Sequence, residues 1–227
     1  MRSVIEKIVS RIKKKEYKID PEISTRIFVE LLIQRFVAYA RFVIIFRQKK
    51  LSFIGGSFKT FNKKNIMIGN GVTVEKNVTI NAICKRKLVI GNNVTIGENT
   101  IIQGSGVITE LGEGINLGEN VGIGANSFFG CQGGISVGKN VIFGPRVNIH
   151  SENHLFDNTA KPIKEQGVSR KGVVIEEDCW IGSGSIILDG VTIEKGCVVA
   201  AGSIVNKSVK ANTVVAGVPA KEIKKRI

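Results

Sequence analysis

A branched aliphatic residue returns at every sixth position from Ile175 through Ile181, Ile187, Ile193 and Val199 to Val205. A period of six is neither the 3.6 of a helix nor the alternation of a strand. A repeat this short cannot bury its apolar side alone, so successive repeats must stack. The pattern reads as a parallel β-helix.

The repeat extends backwards with interruptions. Hexads start at Ile68, Val74 and Ile80; at Ile90, Ile96 and Ile102; at Leu117, Ile123 and Phe129; and at Val137, Phe143 and Ile149. Taken in threes they give about six triangular coils, starting at residues 68, 90, 117, 137, 175 and 193 and separated by 22, 27, 20, 38 and 18 residues. Eighteen residues make one uninterrupted coil. All excess therefore falls after the third hexad, and stacked coils would put every insertion on one corner. At the usual strand spacing, six coils rise roughly 30 Å. Gly, Asn and Asp at the hexad turns suit corners. Cys179 and Cys197 lie one coil apart and are expected to stack inside as small apolar residues.

Length and composition agree. The chain has 227 residues, with 26 glycines and four prolines. Its four cysteines show neither a CxxC pair nor zinc spacing, which predicts reduced thiols and a cytoplasmic protein. No signal peptide is read at the start. Net charge is +14, and residues 1–50 hold 13 Lys/Arg against 5 Asp/Glu. Residues 2–16 predict a short basic helix. Asp20-Pro21-Glu22 predicts the start of a second one, running from Ile23 to Gln48. Charges interrupt that segment too often for a membrane span. Arg26, Glu30, Gln34, Arg41 and Gln48 form one narrow stripe on it, and most of the remaining circumference is apolar. Such a helix needs cover, either a partner subunit or a membrane interface where basic residues reach headgroups, at the inner face of the membrane. No nucleic-acid motif accompanies the charge, so no nucleic-acid partner is expected. The organisation predicted is a basic amphipathic helical segment over 1–50, a β-helix over 51–215 with a protruding loop at 150–173, and a short helix capping the end at 216–227.

The longest insertion carries both histidines of the chain, His150 and His154. A histidine can accept a proton near neutral pH, which is what activating an alcohol needs. Composition does not choose between the two.

Four stretches together resemble a known family. They are Gly144-Pro145-Arg146-Val147-Asn148-Ile149-His150-Ser151-Glu152-Asn153-His154, Asp178-Cys179-Trp180-Ile181-Gly182-Ser183, Ala200-Ala201-Gly202-Ser203-Ile204-Val205 and Val215-Ala216-Gly217-Val218-Pro219-Ala220-Lys221. From about residue 66 to 227 the chain resembles the hexapeptide-repeat acyltransferases, most of all the sugar O-acetyltransferases of galactoside/maltose and capsule/lipopolysaccharide type. The resemblance implies an all-β, left-handed parallel β-helix, a homotrimer with sites between neighbouring prisms, acetyl-CoA as donor, and a hydroxyl of a sugar or surface polysaccharide as acceptor.

Carried over by position, the resemblance makes His154 the general base for direct attack on the thioester, with no acyl-enzyme and no metal. Trp180 and Ser183 fall on the positions that orient the acyl carbonyl. Backbone donors near Ser183, Ala201 and Gly202 would hold the pantetheine arm. Asn206, Lys207, Lys221 and Lys224 complete the cofactor set, the lysines as point charges for phosphate. The family's acceptor-binding Asn and Asp read Gly124 and Gln132 here. On the acceptor side the expectation is Asn126, Gln132, Glu152, Asn153, Asp157 and Gln166. The long apolar helical start, which simple sugar acetyltransferases lack, favours a lipid-linked acceptor.

Rival readings are N-acetylation of an amino sugar, acetylation of a drug, and a non-catalytic β-helix scaffold. An ice-binding scaffold would need a Thr ladder, but Thr73, Thr79, Thr95 and Thr192 form no full one. A metal-dependent hydratase needs three histidine ligands, and the chain has two histidines.

Overall fold

The structure is a computed structural model and describes residues 3, 5–7, 10 and 16–227. The basic helix predicted over 2–16 therefore lies largely outside the described residues. The chain divides into two compact units, 1–37 and 38–227.

A helix, α1, runs from Thr25 to Phe46. Ser24, not Asp20, caps it: the Ser24 Oγ accepts the Ile27 amide at 3.3 Å. Asp20 instead closes a local turn, its carboxylate accepting the Glu22 amide at 2.9 Å. Arg26 and Glu30 pair along the polar stripe at 3.1 Å. Ile27, Ile33 and Phe36 of the apolar circumference are exposed.

From Phe53 the described residues wind through parallel strands that build three sheets. The first holds Phe53–Ile54, Thr73–Val74, Thr95–Ile96, Gly122–Ile123, Ile142–Phe143, Trp180–Ile181, Val198–Val199 and Thr213–Gly217. The second runs from Lys59–Phe61 to Ile204–Val205, and the third from Ile66–Ile68 to Thr192–Ile193. Each strand pairs in parallel with its counterpart one coil away, as Phe53 with Thr73 and Ile181 with Val199. This is a parallel β-helix, and the six-residue period is its rung. Two residues per rung are buried, the aliphatic and the residue two places before it, and each stacks on its equivalent in the next coil. In the first sheet the column is Ile54, Val74, Ile96, Ile123, Phe143, Ile181, Val199 and Val215, all buried.

The β-helix begins two strands earlier than the sequence pattern, with Phe53–Ile54 and Lys59–Phe61, and Thr213–Gly217 adds one at the far end, so the described parallel strands make seven turns where the pattern gave about six. The inward positions of these first two strands are Ile54 and Thr60, stacked on Val74 and Ile80. A threonine in place of the aliphatic hides the period there.

Two corners are tight. Between the first and second sheets, positive φ falls on Ser57, Asn77, Asn99, Asn126, Arg146, Gly184 and Gly202, one per coil. Asparagine tolerates this left-handed geometry. Its side chains also bond along the stack, Asn77 to Asn99 at 3.1 Å and Asn99 to Asn126 at 3.2 Å. Gly124 is required for a different reason: a Cβ there would lie 2.4 Å from the Pro145 nitrogen of the next coil. The corner between second and third sheets carries the insertions 82–87, 104–114, 131–134 and 151–172, stacked one above another. The single-corner expectation from the coil spacings is met.

Both ends of the prism are covered. At the start, Phe42 is fully buried in the core cluster with Ile54, and Phe46 packs on Phe42 and Phe58 with centroids 5.5 and 6.4 Å away. Lys63 donates to the carbonyl of Ile45 near the C-terminus of α1, at 2.9 Å. At the far end the predicted C-terminal helix is absent. Ala220–Lys225 forms a strand, antiparallel to Thr213–Gly217. Its physical cause is the open edge of the first sheet, whose unpaired backbone groups offer a ladder that a short Lys-rich helix could not match.

Replacing Phe42 by Ala should leave a cavity at the covered end and cost about 3–5 kcal/mol. A chemical denaturation midpoint equal to that of wild type would show that the covered end carries no such burial.

Candidate active site

The 151–172 loop is built on two legs that converge at the coil. On the rising leg Ser151 is fully buried; its Oγ donates to the Gly130 carbonyl at 2.7 Å and accepts the Gly133 amide at 2.9 Å. Gly133 has to be glycine, because a Cβ would sit 2.0 Å from the Ser151 carbonyl oxygen. Above this base the legs form a two-stranded antiparallel ribbon in which Asn153 pairs with Ser169 and His154 with Val168. The Leu155 amide closes it on the Gly167 carbonyl at 3.0 Å. His154 thus stands exposed on a hydrogen-bonded ribbon rather than on a free loop.

His150 is placed differently. It ends a strand of the second sheet, in register with Gly130, and its ring lies 5.6 Å from that of Phe128. It lines a sheet face, below the ribbon.

Charge ties the loops together. Arg170, with only 18% of its side chain exposed, pairs with Glu152 and, at 3.1 Å, with Glu110 of the 104–114 insertion. Glu113 of the same insertion bonds Lys85 at 3.0 Å and Arg86 at 3.1 Å. The Lys85 hydrogen bond, opposed by slight burial and aided by the charges of Lys85, Arg86 and Arg170, holds the Glu113 carboxyl below its ordinary range. Glu152 is therefore engaged as a strut across the legs. Gln166 is engaged too: its side chain bonds Asn158 at 3.0 and 2.8 Å and the Lys161 carbonyl at 2.9 Å, which folds the loop tip on itself. Asn153 and Asp157 are exposed, and Gln132 is half-buried in the adjoining 131–134 insertion.

The remaining residues lie elsewhere. Trp180 is 56% exposed on the outer face of the first sheet, in register with Ile142 and Val198. Ser183, Ala201 and Gly202 follow at the tight corner between first and second sheets, where the Gly202 amide bonds the Ser183 carbonyl at 2.8 Å. Asn126 lies on that same corner, at the end of the asparagine ladder, and not beside the ribbon. Asn206 and Lys207 follow the last strand of the second sheet, and Lys221 and Lys224 lie on the terminal strand. One chain thus presents two groups on two corners: His154 with Gln132, Glu152, Asn153, Asp157 and Gln166 on one, Trp180 with Ser183, Ala201 and Gly202 on the other.

The thiols are core. All four cysteines are free and buried, and burial raises the thiol of each. Cys179 and Cys197 occupy equivalent positions one coil apart, as the period predicts. No group of three His, Cys, Asp or Glu among the described residues could hold a metal. Asp189, unremarked in the sequence, bonds the falling leg of the ribbon; no motif marks it, since only the stacking of coils brings it there.

Comparison with known proteins agrees with the repeat. Residues 172–207 match the family described as bacterial transferase hexapeptide (six repeats), and residues 114–144 match the hexapeptide repeat of succinyl-transferase. A Dictyostelium discoideum protein named as an acetyltransferase is 48% identical over 91 residues, 40% of this chain and 46% of that protein. The galactoside O-acetyltransferase of Lactococcus lactis is 35% identical over 86 residues, 37% of this chain and 40% of that enzyme. The chain spans less than half the length of each. A crystal structure of a variant of AntD, an N-acyltransferase from Bacillus cereus, in complex with dTDP and coenzyme A, superposes with a TM-score of 0.58 at 24% identity, covering 76% of this chain and 86% of that one.

The Cys179 thiol is pushed up from 9.0 to about 11 by burial. Its neutral form is the one the fold favours, so this contribution is complete below pH 9.0 and is lost as pH rises towards about 11. Wild type should lose thermal stability across that window more steeply than Cys179→Ala, and a thiol reagent at pH 8 should label the cysteines only after denaturation. Prompt labelling of the native protein would contradict the burial. Residues 114–144 and 172–207 thus carry hexapeptide repeats of the kind found in bacterial transferases, on a parallel β-helix fold.

Proposed function

We propose that the chain transfers an acetyl group from acetyl-CoA to a hydroxyl of a sugar or surface-polysaccharide acceptor. The observation that carries this reading is the exposed His154, held on a pinned ribbon beside the stacked loops of a transferase repeat. Its imidazole takes the proton of the acceptor hydroxyl as that oxygen attacks the thioester carbonyl. The carbon–oxygen bond forms, the carbon–sulfur bond breaks, and the proton passes on to the departing thiolate. No cysteine serves as a nucleophile, because burial keeps the thiols protonated. Trp180 and Ser183 orient the donor, Ala201 and Gly202 line its arm, and Asn206, Lys207, Lys221 and Lys224 meet its phosphates. The acceptor lies against Gln132, Asn153 and Asp157, with Glu152 and Gln166 supporting the loop that grips it and Asn126 on the donor side.

The two groups of residues occupy different corners of the prism, which supports a homotrimer in which each site joins the ribbon of one copy to the donor corner of its neighbour. His154→Ala should lose about 10²–10⁴-fold in turnover while still binding acetyl-CoA. Trp180→Ala should weaken calorimetric binding of acetyl-CoA. Co-refolding the two inactive variants should restore part of the activity, because a mixed trimer contains an intact interface. Full turnover in His154→Ala would remove the base assignment; no rescue on mixing would place each site within one chain.

Residues 1–50 are proposed to rest on the inner, anionic face of a membrane, consistent with a cytoplasmic enzyme acting on a lipid-linked acceptor. The exposed apolar circumference of α1 and the local excess of Lys and Arg support this. Among the described residues no helix is long and apolar enough to cross a membrane. The whole chain should sediment with phosphatidylglycerol vesicles at low salt and be released at high salt. Absence from the vesicle pellet at low salt would refute the contact.

A further inference from the structure

We propose that Asp189 is a positioning residue for His154, acting through the falling leg of the ribbon. The inference rests on the reading of His154 as general base. Asp189 belongs to the coil after the one that carries the loop, in the short turn between Ile186–Ile187 and Thr192–Ile193. Its Oδ1 accepts two backbone amides, from Lys171 at 2.9 Å and Gly172 at 2.8 Å. Its Oδ2 accepts the Lys171 amide at 3.1 Å and the Ser169 hydroxyl at 3.4 Å.

Ser169 is the register partner of Asn153, the neighbour of His154. The carboxylate therefore reaches His154 through one hydroxyl and one pair of the ribbon. These amides belong to the point where the chain leaves the ribbon for the third sheet, and Gly172 there has φ +83. Without the carboxylate, two adjacent N–H groups would lose their acceptor where the leg turns. The rising leg is fixed within its own coil by Ser151, and the falling leg is fixed by Asp189 from the next one. Only with both legs held does the ribbon have one orientation above the coil. A base that must meet a hydroxyl within hydrogen-bond distance is sensitive to such an orientation.

The geometry makes a side-chain-specific forecast. An amide oxygen at Oδ1 can keep both main-chain bonds, whereas a methyl group keeps none. Asp189→Asn should therefore behave as a rescue of Asp189→Ala. The two variants would be compared by hydrogen–deuterium exchange over 153–155 and 167–172. They would also be compared by release of the CoA thiol from acetyl-CoA with a panel of glycosides. Asp189→Ala should exchange at least about tenfold faster in these segments and lose about 10–100-fold in kcat, with KM for acetyl-CoA unchanged, while Asp189→Asn stays within about threefold of wild type in both. If Asp189→Ala does not fold, Asp189→Ser, too short to reach the amides, carries the same comparison. Unchanged exchange in the short-chain variant overturns the clamp. Faster exchange with an unchanged kcat overturns the positioning role. If wild type itself releases no thiol, the acetyl-transfer reading fails, and exchange still decides whether Asp189 holds the ribbon.

Discussion

Every feature of this molecule depends on the in-register stacking of one coil on the next. A single coil buries nothing and satisfies none of its outward-facing backbone groups along the prism axis. Its neighbours supply both the apolar column and the ladder of hydrogen bonds. The first-sheet column from Ile54 to Val215 shows how strictly the register is kept, since each inward side chain lies over its equivalent. Such a stack has no internal reason to stop. Its ends must be closed by something other than the repeat, and here the work is done by Phe42 and Phe46 of α1 at one end and by the antiparallel terminal strand at the other.

Stacking also decides where variation is tolerated. The two tight corners repeat a left-handed residue on each coil and stack backbone against backbone, so an added side chain at Gly124 meets the next coil. The third corner is released from this rule. Four insertions leave there, and because the coils are in register they leave side by side. Lys85, Arg86, Glu110, Glu113, Glu152 and Arg170 come from three different insertions yet form two sets of ion pairs, Glu113 with Lys85 and Arg86, and Arg170 with Glu110 and Glu152. Exposed pairs of this kind contribute little each. Arg170 is the less exposed member and joins two loops, so its effect is on loop geometry more than on stability.

The sequence made much of this legible because period and burial are the same fact in a β-helix. The coil phase, the common corner for insertions and the stacked Cys179 and Cys197 follow from the spacing of aliphatic residues. The period failed at Thr60, where a polar residue stands inside, and so the first two strands lie outside the six-residue pattern. It also failed at 220–225, where a lysine-rich segment pairs with an open sheet edge, because that edge exists only once the coils have stacked. Asp20 looks like a helix cap, yet Ser24 lies nearer the first helical turn and takes the bond.

By itself, the sequence determined the rung, the number of residues between rungs, and therefore the fold and the corner that carries the loops; a short-period pattern is local and survives without knowledge of contacts. It also placed His154 on the longest loop. Only the tertiary structure decided what that loop is: a ribbon with one leg held by a buried serine and the other by a carboxylate from the following coil. It likewise separated Trp180, Ser183 and Asn126 from His154 onto another corner. These relations join residues tens of positions apart through the stacking of coils, and no local pattern encodes which side chain of one coil will face the loop of another.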